Sequence, residues 1–244
     1  MISSASCTRP LQQALVPLAV SVPPAALFIS GKAGKGAMEE ELDTQPALER
    51  QRPPSIDYLF QVTNFTKPEI QRLYRSFKEL WPNGTVALEQ FQAIYASIFP
   101  NGNSKNYAEL VFRNIDQSGS GAITFLNFIT NFSKIAKGSV EEKLDWIFGL
   151  YDTNRTGFLA HNEIFNVVKS MYQLVDASLK PAVLSTICRK HVKIVFKVGI
   201  VLTLNIANGG RITKEEFVSR CRADTEIMKT MELFGSFSRG LVVL

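Results

Sequence analysis

The chain has 244 residues, 45% of them hydrophobic, and a formal net charge of +5. This composition supplies enough apolar side chains for a globular core, and the length fits one large domain or two small ones. Three cysteines, an odd number without metal-ligand spacing, favour a reduced, cytosolic protein. Two histidines, without a Gly-rich phosphate loop or an arranged nucleophile and base, argue against an enzyme. The chain has no basic run with interleaved aromatic residues, which is the pattern that would indicate nucleic-acid binding.

Residues 1–54 differ from the rest of the chain and are predicted to form a separate tail and linker. Pro10 to Ser30 carries no charge and approaches the length of a membrane span. Pro17, Pro23 and Pro24 interrupt this run, and proline is costly inside a helix. We therefore predict a disordered or membrane-touching tail. An interfacial or spanning anchor and a cleaved signal peptide are the alternatives.

The first predicted unit starts at the capping box Thr66–Glu69, which has a proline in its first turn. The apolar residues after it recur at helical spacing and are Ile70, Leu73, Tyr74 and Phe77. Glu79–Gln90 then has the outline of a calcium-binding loop, but Trp81 and Gln90 replace an oxygen ligand and the final glutamate. The helix predicted after this loop carries Phe91 and Tyr95 on its apolar side. We predict a helix pair that keeps its shape and lacks a metal.

The unit recurs at Asp116–Asn127, where we predict a second calcium-binding loop. Its ligand positions are occupied by Asp116, Ser118, Ser120, the carbonyl of Ala122, Thr124 and Asn127. Only one carboxylate remains, and the neutral Asn127 usually supplies one oxygen where a glutamate supplies two. We therefore expect this site to be weak or empty at resting calcium, with Ca²⁺ or Mg²⁺ as its ion. Phe128 lies on the apolar stripe of the helix that leaves the loop.

The strongest motif is Asp152–Glu163, and a second capping box, Ser139–Glu142, opens the helix that enters it. Its candidate ligands are Asp152, Asn154, Thr156, the carbonyl of Phe158, and Glu163. An EF-hand calcium loop supplies oxygens at this spacing, and Gly157 permits the sharp turn between them. Thr156 departs from the usual Asp or Asn. The short D-x-N-x-T-G pattern also fits an ordinary turn, but the glutamate in register favours calcium.

The fourth predicted unit is damaged. Thr213–Glu216 opens its exiting helix, and His191–Lys197 resembles its entering helix. Counting back from Glu216, the first, third and fifth loop positions are occupied by Asn205, Ala207 and Gly209, so two ligands are missing. The apolar stretch Val198–Ile206 is either an altered loop that still packs or a spliced-in or mispredicted segment. We do not predict calcium binding there.

The repeated units predict an all-α fold of two EF-hand pairs, that is, four helix–loop–helix units with short strands that pair neighbouring loops. We place the N-terminal pair at residues 55–137 and the C-terminal pair at residues 138–237. A short tail at residues 238–244 follows. Ile123 and Leu159 are predicted on the pairing strands.

Four such units, the first with a Pro-containing loop, resemble the neuronal calcium sensor family. The segments that carry the resemblance are FTKPEIQRLYRSFKELWPNG, NYAELVFRNIDQSGSGAITFLNFI, GSVEEKLDWIFGLYDTNRTG and EIMKTMELFGSF. Together they look most like the Kv channel-interacting proteins, over residues 56–237. The variable N-terminal tail is also similar to that subgroup.

The resemblance implies a cytoplasmic calcium sensor, peripheral at the inner face of the plasma membrane. Its expected partner is the cytoplasmic N-terminal segment of an A-type (Shal-type) voltage-gated potassium channel, whose trafficking and gating it would modulate. In that family the third and fourth loops typically work, and the second suits Mg²⁺. This chain departs at Asn127, at Thr156 and before Gly210, where extra residues disrupt the fourth loop.

The predicted partner site is an apolar groove that receives a helix with anchors at i, i+3 and i+4. The candidate groove residues are Ile70, Leu73, Tyr74, Phe77, Phe91, Tyr95, Phe128, Trp146 and Ile147. The alternative for each is burial, since such residues are core in most helical domains. We expect Ca²⁺ in the third loop to pull Glu163 inward and move its exiting helix, which opens or steadies the groove. Two other functions stay open: a calcium-insensitive EF-hand adaptor, and a calcium sensor for a non-channel target.

Overall fold

A computed structural model describes residues 53–198, 210–225 and 228, and these residues are mostly helical. The helices within these ranges are α1 (Ile56–Val62), α2 (Lys67–Leu80), α3 (Leu88–Ile98), α4 (Lys105–Ile115), α5 (Phe125–Lys137), α6 (Val140–Tyr151), α7 (His161–Val175), α8 (Pro181–Val198) and α9 (Lys214–Ala223). The strands are β1 (Thr85–Ala87), β2 (Ala122–Thr124), β3 (Phe158–Leu159) and β4 (Ile212–Thr213). The all-α class predicted from the sequence is confirmed at this level.

The strands form two small antiparallel sheets, each between two neighbouring loops. In the first sheet β1 pairs with β2, and Val86 lies opposite Ile123. In the second, β3 pairs with β4, and Leu159 lies opposite Ile212. The prediction that Ile123 and Leu159 occupy pairing strands is therefore confirmed. Each sheet holds two loops side by side, because its ladder hydrogen bonds run from one loop backbone to the other.

Local sequence explains where the helices begin. The predicted capping boxes at Thr66, Ser139 and Thr213 are formed, and each starts the expected helix. Their side chains satisfy amide groups that the first turn of a helix leaves without partners. Ser55 caps α1 in a similar way, since its hydroxyl accepts a hydrogen bond from the amide of Tyr58. The predicted entering helix of the fourth unit is longer than expected, because α8 begins at Pro181.

One hydrophobic core joins the two halves of the described chain. In its N-terminal part, Phe77 is fully buried and its ring contacts those of Phe125 and Phe128 at 5.3 and 5.6 Å between centroids. Burying one such side chain stabilises the fold by roughly 1.5–3 kcal/mol. α4 lies at the centre, since it packs against α3, α6 and α7. The second and third units are therefore in direct contact.

The connection from α3 to α4 crosses the end of α7 at very close range. The amide of Asn103 donates to the carbonyl of Gln173 at 2.7 Å, and the amide of Ala177 donates to the carbonyl of Asn101 at 3.3 Å. A Cβ atom at Gly102 would lie 1.8 Å from the carbonyl oxygen of Leu174. Only glycine fits this crossing, which ties the C-terminal end of α7 to the N-terminal half.

Several predictions concern residues outside the described ranges. They include the tail at residues 1–52, the stretch after Val198 with Asn205, Ala207 and Gly209, and the end of the chain from residue 229. Among the described residues, no helix is both long enough and apolar enough to cross a membrane.

Candidate metal centre

The third loop joins α6 to α7 and carries two buried carboxylates. Asp152 is the C-cap residue of α6 and is 6% exposed, and Glu163 lies in the first turn of α7 and is 5% exposed. Neither carboxylate has an ion-pair partner within residues 53–198 or 210–225. Burying a carboxylate without a compensating cation is costly. The two side chains therefore form a region that favours a positive ion.

Asp152 gathers the first half of the loop around its carboxylate. Its Oδ1 accepts a hydrogen bond from the Thr156 amide at 2.9 Å, and its Oδ2 accepts one from the Gly157 amide at 2.8 Å. Thr156 Oγ1 lies 3.2 Å from Asp152 Oδ1 and 3.1 Å from the carbonyl oxygen of Phe158. The first, fifth and seventh loop positions thus present their oxygens to one another. Gly157 has φ of 78°, which is the left-handed turn the spacing predicted.

Glu163 gathers the second half of the loop. Its Oε1 accepts a hydrogen bond from Asn154 Nδ2 at 2.9 Å, and its Oε2 accepts one from the Ala160 amide at 2.9 Å. The structure therefore brings the five predicted ligands together as two contacting groups, Asp152 with Thr156 and the Phe158 carbonyl, and Asn154 with Glu163. All five groups are oxygen donors or carry one. This donor set fits Ca²⁺ or Mg²⁺, which prefer oxygen, and not a soft transition metal.

The donor set is poor in carboxylates, since no group of three or more His, Cys, Asp and Glu side chains placed to hold a metal occurs in the described residues. The third loop would rely on two carboxylates, an amide, a hydroxyl and a carbonyl. Calcium loops tune their affinity through the number of charged ligands. We therefore expect the loop to bind more weakly than one with three or four acidic ligands.

The second loop repeats the first half of this arrangement around Asp116. Asp116 Oδ1 accepts hydrogen bonds from Ser118 Oγ at 2.9 Å and from the Ser120 amide at 3.1 Å. Its Oδ2 accepts one from the Gly121 amide at 2.8 Å, and Ser120 Oγ lies 2.9 Å from the Ala122 carbonyl oxygen. Burial raises the pKa of the Asp116 carboxyl, but these hydrogen bonds outweigh it, and the net pKa is lowered. Asp116 is therefore held as a carboxylate.

Asn127 does not join that group in the way Glu163 joins the third loop. Its Oδ1 accepts hydrogen bonds from the Thr124 amide at 3.1 Å and from Thr124 Oγ1 at 2.6 Å. The one oxygen of this side chain thus accepts hydrogen bonds from the N-cap residue of α5. The second loop brings together Asp116, Ser118, Ser120 and the Ala122 carbonyl, with a single carboxylate among them.

The first and fourth loops differ from this pattern. Trp81 occupies a ligand position of the first loop but is buried against Phe77, with 4.9 Å between the ring centroids. In the fourth loop Gly210 has φ of 75° and Glu216 Oε2 accepts a hydrogen bond from the Thr213 amide at 2.9 Å. The predicted first, third and fifth positions of that loop lie outside the described residues.

The last position of every loop has a capping role that the sequence analysis missed for three of the four. Gln90 accepts a hydrogen bond from the Ala87 amide at 3.1 Å, and the side chains of Asn127, Glu163 and Glu216 do the same for their own loops. The signal was present, since a polar residue three positions after a helix start is the second half of a capping box. This position therefore serves the helix start whether or not it can hold a metal.

Arg155 is a second residue that the sequence analysis missed. Among the described residues it is the one non-glycine residue with positive φ, at 55°. Its side chain leaves the third loop and donates to the carbonyls of Arg113 and Asp116 at 3.0 and 3.2 Å, and also to that of Gln117. A lone arginine in a loop gives no sequence signal for such a reach.

The groove candidates lie mostly in the core. Eight of the nine are buried, namely Ile70, Leu73, Phe77, Phe91, Tyr95, Phe128, Trp146 and Ile147. Tyr74 is partly exposed and its ring contacts that of Phe125 at 5.0 Å. The alternative of burial thus describes eight positions in this structure. That they contact a partner stays a prediction and requires the helices around them to open.

A scan of the chain against models of known protein families finds no match. The functional interpretation therefore rests on the loop geometry and on the residues themselves. The decisive observation is the pair of buried carboxylates, Asp152 and Glu163, which lie at the two ends of one loop without a cation partner in the described chain.

Proposed function

We propose that this chain is a calcium-binding regulatory protein built of two EF-hand pairs, with Asp152–Glu163 as its principal site. The observation that carries the proposal is the burial of Asp152 and Glu163 without an ion-pair partner in the described residues. The two antiparallel strand pairs between neighbouring loops also support EF-hand pairing.

The residues of the third loop would hold the ion through the side-chain oxygens of Asp152, Asn154, Thr156 and Glu163 and the carbonyl of Phe158. A bound Ca²⁺ supplies the positive charge that compensates the two carboxylates. The side-chain amide nitrogen of Asn154 donates a hydrogen bond to Glu163. The Asn154 side chain must therefore rotate so that its oxygen faces the ion. Glu163 keeps the Ala160 amide through Oε2 and so stays fixed to the start of α7. We propose the second loop as a weaker site for Ca²⁺ or Mg²⁺.

The partner we propose is the cytoplasmic N-terminal segment of an A-type voltage-gated potassium channel, bound at the inner face of the plasma membrane. This part of the proposal rests on the resemblance of residues 56–237 to the Kv channel-interacting proteins. The continuous apolar core beneath α2, α3, α5 and α6 supplies the aromatic side chains that a helical peptide would require.

The test is a calcium titration of the full chain with Mg²⁺ present, in which tryptophan fluorescence and calorimetric heat are the readouts. Trp146 is buried in α6, the helix whose C-cap residue is Asp152, so its emission should change when the loop is filled. We expect a saturable change near micromolar calcium, as in sensor loops. No heat and no emission change up to millimolar calcium would refute the calcium part of the proposal.

The variant Glu163→Gln tests the site itself, and the chain supplies a reason to expect it to fold. Gln90 makes the same capping hydrogen bond in the first loop that Glu163 makes in the third. Glutamine at position 163 should therefore keep the helix start while it removes one carboxylate. Glu216→Gln is the matched control, since Glu216 caps α9 in the same way. We expect loss of the calcium response in the first variant and retention in the second.

A calcium-insensitive adaptor is the second candidate, because Trp81 fills the first loop and Asn127 leaves the second with one carboxylate. A pull-down with the channel peptide, in calcium and in chelator, separates the two functions. Capture that is equal in both conditions favours the adaptor. Absence of capture in both favours a calcium sensor for a non-channel target, provided that the titration is positive.

A further inference from the structure

Arg155 makes a side-chain contact from the third loop to the second. Its guanidinium group donates to the carbonyl oxygens of Arg113, Asp116 and Gln117, which belong to the end of α4 and the start of the second loop. The last carbonyls of a helix have no partner within the helix and carry partial negative charge. A planar group with several N–H donors is suited to bind three such oxygens at once.

The backbone of Arg155 is in the left-handed region, at φ of 55°. Its counterpart at the fourth position of the second loop is Gly119, at φ of 68°. The two loops thus share a backbone turn, but one uses glycine, which adopts it freely, and the other uses arginine, for which it is unfavourable. The three hydrogen bonds of the Arg155 side chain offset the free-energy cost of this backbone conformation.

A neighbouring contact attaches the same end of α4 to the helix that enters the third loop. Asn114 Nδ2 donates to the carbonyl of Trp146 at 3.0 Å. Gly149, one turn later in α6, leaves room for the Asn114 side chain, since a Cβ there would lie 2.6 Å from Asn114 Oδ1. The C-terminal end of α4 is thus attached at two points. Asn114 attaches it to α6, which precedes the third loop, and Arg155 attaches it to the third loop itself.

We infer that Arg155 is a positioning residue that couples the two candidate cation loops: it fixes the start of the second loop to the third, so that filling of the third loop is transmitted to the N-terminal half. The carbonyl of Asp116 is the shared point, because it accepts hydrogen bonds both from Arg155 and from the amide of Gly119. The ion-dependent part of this inference rests on the proposed function. The structural link between the loops does not.

Hydrogen exchange of the full chain tests the link first without calcium. The readout is the set of hydrogen-bonded amides of the second loop, namely Gln117, Gly119, Ser120 and Gly121. Arg155→Gly removes the guanidinium and relieves the backbone strain, and Arg155→Gln removes the charge and keeps a side chain. We expect exchange of these amides to be roughly fivefold faster in both variants. Arg155→Lys should give a smaller increase, since lysine has one donor group in place of a fork.

Calcium is then added to the same set of proteins. In the natural chain, calcium should slow exchange of the second-loop amides, and in Glu163→Gln it should not, which assigns the effect to the third loop. In Arg155→Gln the third loop should still take up calcium by calorimetry, with affinity within about threefold of the natural value, but the second-loop amides should no longer respond.

The two proposals fail differently. If the natural chain takes up no calcium, the proposed function is wrong, and the calcium-free comparison still decides the link. If both Arg155→Gly and Arg155→Gln leave second-loop exchange unchanged in chelator, the link is refuted. If calcium slows the second-loop amides equally with and without Arg155, the coupling is refuted even though the loop binds.

Discussion

Asn154 and Glu163 are joined by a hydrogen bond of 2.9 Å from Nδ2 to Oε1, which links the third and last positions of the loop. Glu163 is therefore turned toward the loop. That calcium draws Glu163 and its helix inward stays a prediction, and the Asn154 amide would have to rotate for its oxygen to reach an ion. In the proposed calcium site, breaking this hydrogen bond would subtract about 1 kcal/mol from the binding free energy.

Asn154→Asp should separate the cost of the empty loop from the strength of the filled one. Aspartate cannot donate to Glu163 and places a second negative charge beside it, so the ion-free protein should lose about 1–2 kcal/mol of stability. A third carboxylate should also raise calcium affinity, roughly tenfold. Thermal unfolding in chelator and in calcium measures both effects, and a variant equally stable in the two conditions contradicts the proposed site.

Asn127→Glu should give the second loop a usable last ligand. Glu163 and Glu216 show that glutamate at this position keeps the hydrogen bond to its capping amide. The variant adds a second carboxylate to the loop, so we expect calcium binding by the second loop to strengthen by roughly tenfold or more. Calorimetry should show the weaker binding event of the natural chain shifted to lower calcium concentration. Asn127→Gln, which lengthens the side chain without charge, is the control and should show no such shift.

The parts of the structure that could be predicted are those encoded within a few residues. The capping box at Thr66 and the turn at Gly157 follow from local chemistry, because each side chain or backbone angle acts on atoms of its own segment. The strand position of Leu159 follows from its place in the loop. Five candidate ligands of the third loop could be named for the same reason.

The parts that could not be predicted depend on residues that are distant in the sequence. Arg155 reaches carbonyls in the second loop, and Gly102 lies against the carbonyl of Leu174. Neither contact has a local signature. Helical periodicity placed Phe91 and Tyr95 on one apolar face, and both are buried, but it could not tell what covers that face. An apolar stripe is compatible with a buried core and with a groove, and only the packing of other elements decides.

Gly102→Ala should destabilise the fold because the new methyl group meets rigid backbone. The nearest atom would be the Leu174 carbonyl oxygen at 1.8 Å, so the crossing segment must move. We expect this movement to lower the free energy of unfolding by about 1–3 kcal/mol. Gly149→Ala is the comparison. Its Cβ would meet the Asn114 side chain, which can turn away, and alanine favours a helix interior by about 1 kcal/mol over glycine. Urea unfolding should therefore show a large loss in the first variant and a small change in the second.

Glu69 and Lys137 should make stability depend on pH in the acidic range. Their side chains form an ion pair at 2.8 Å with both groups partly buried, and Lys137 Nζ also lies 5.2 Å from the centre of the Phe65 ring. Burial raises the pKa of the Glu69 carboxyl, but hydrogen bonds from Lys137 and Thr66 outweigh it, so the pKa lies below its ordinary value of 4.5.

Because the folded pKa of Glu69 is depressed, its contribution to stability is fully present above pH 4.5 and is lost as the pH falls through the lowered folded value. Glu69→Gln should cost about 1 kcal/mol at pH 7. The difference from the natural chain should shrink below pH 4.5. Denaturant unfolding at several pH values measures this, and a difference that is constant down to pH 3 contradicts the assignment.

Tyr74→Ala should weaken partner binding with little loss of stability, because Tyr74 is the partly exposed member of the predicted groove. Its ring rests edge-on against Phe125, and a docked helix would extend this aromatic contact. The expected loss of affinity for a channel N-terminal peptide is about 1–2 kcal/mol, or roughly five- to thirtyfold.

Phe91→Ala is the contrast, since Phe91 is buried and its truncation should lower stability by about 3–5 kcal/mol. Peptide binding by fluorescence anisotropy, read beside thermal unfolding, separates the two effects. Unchanged affinity in Tyr74→Ala would remove α2 from the proposed partner site.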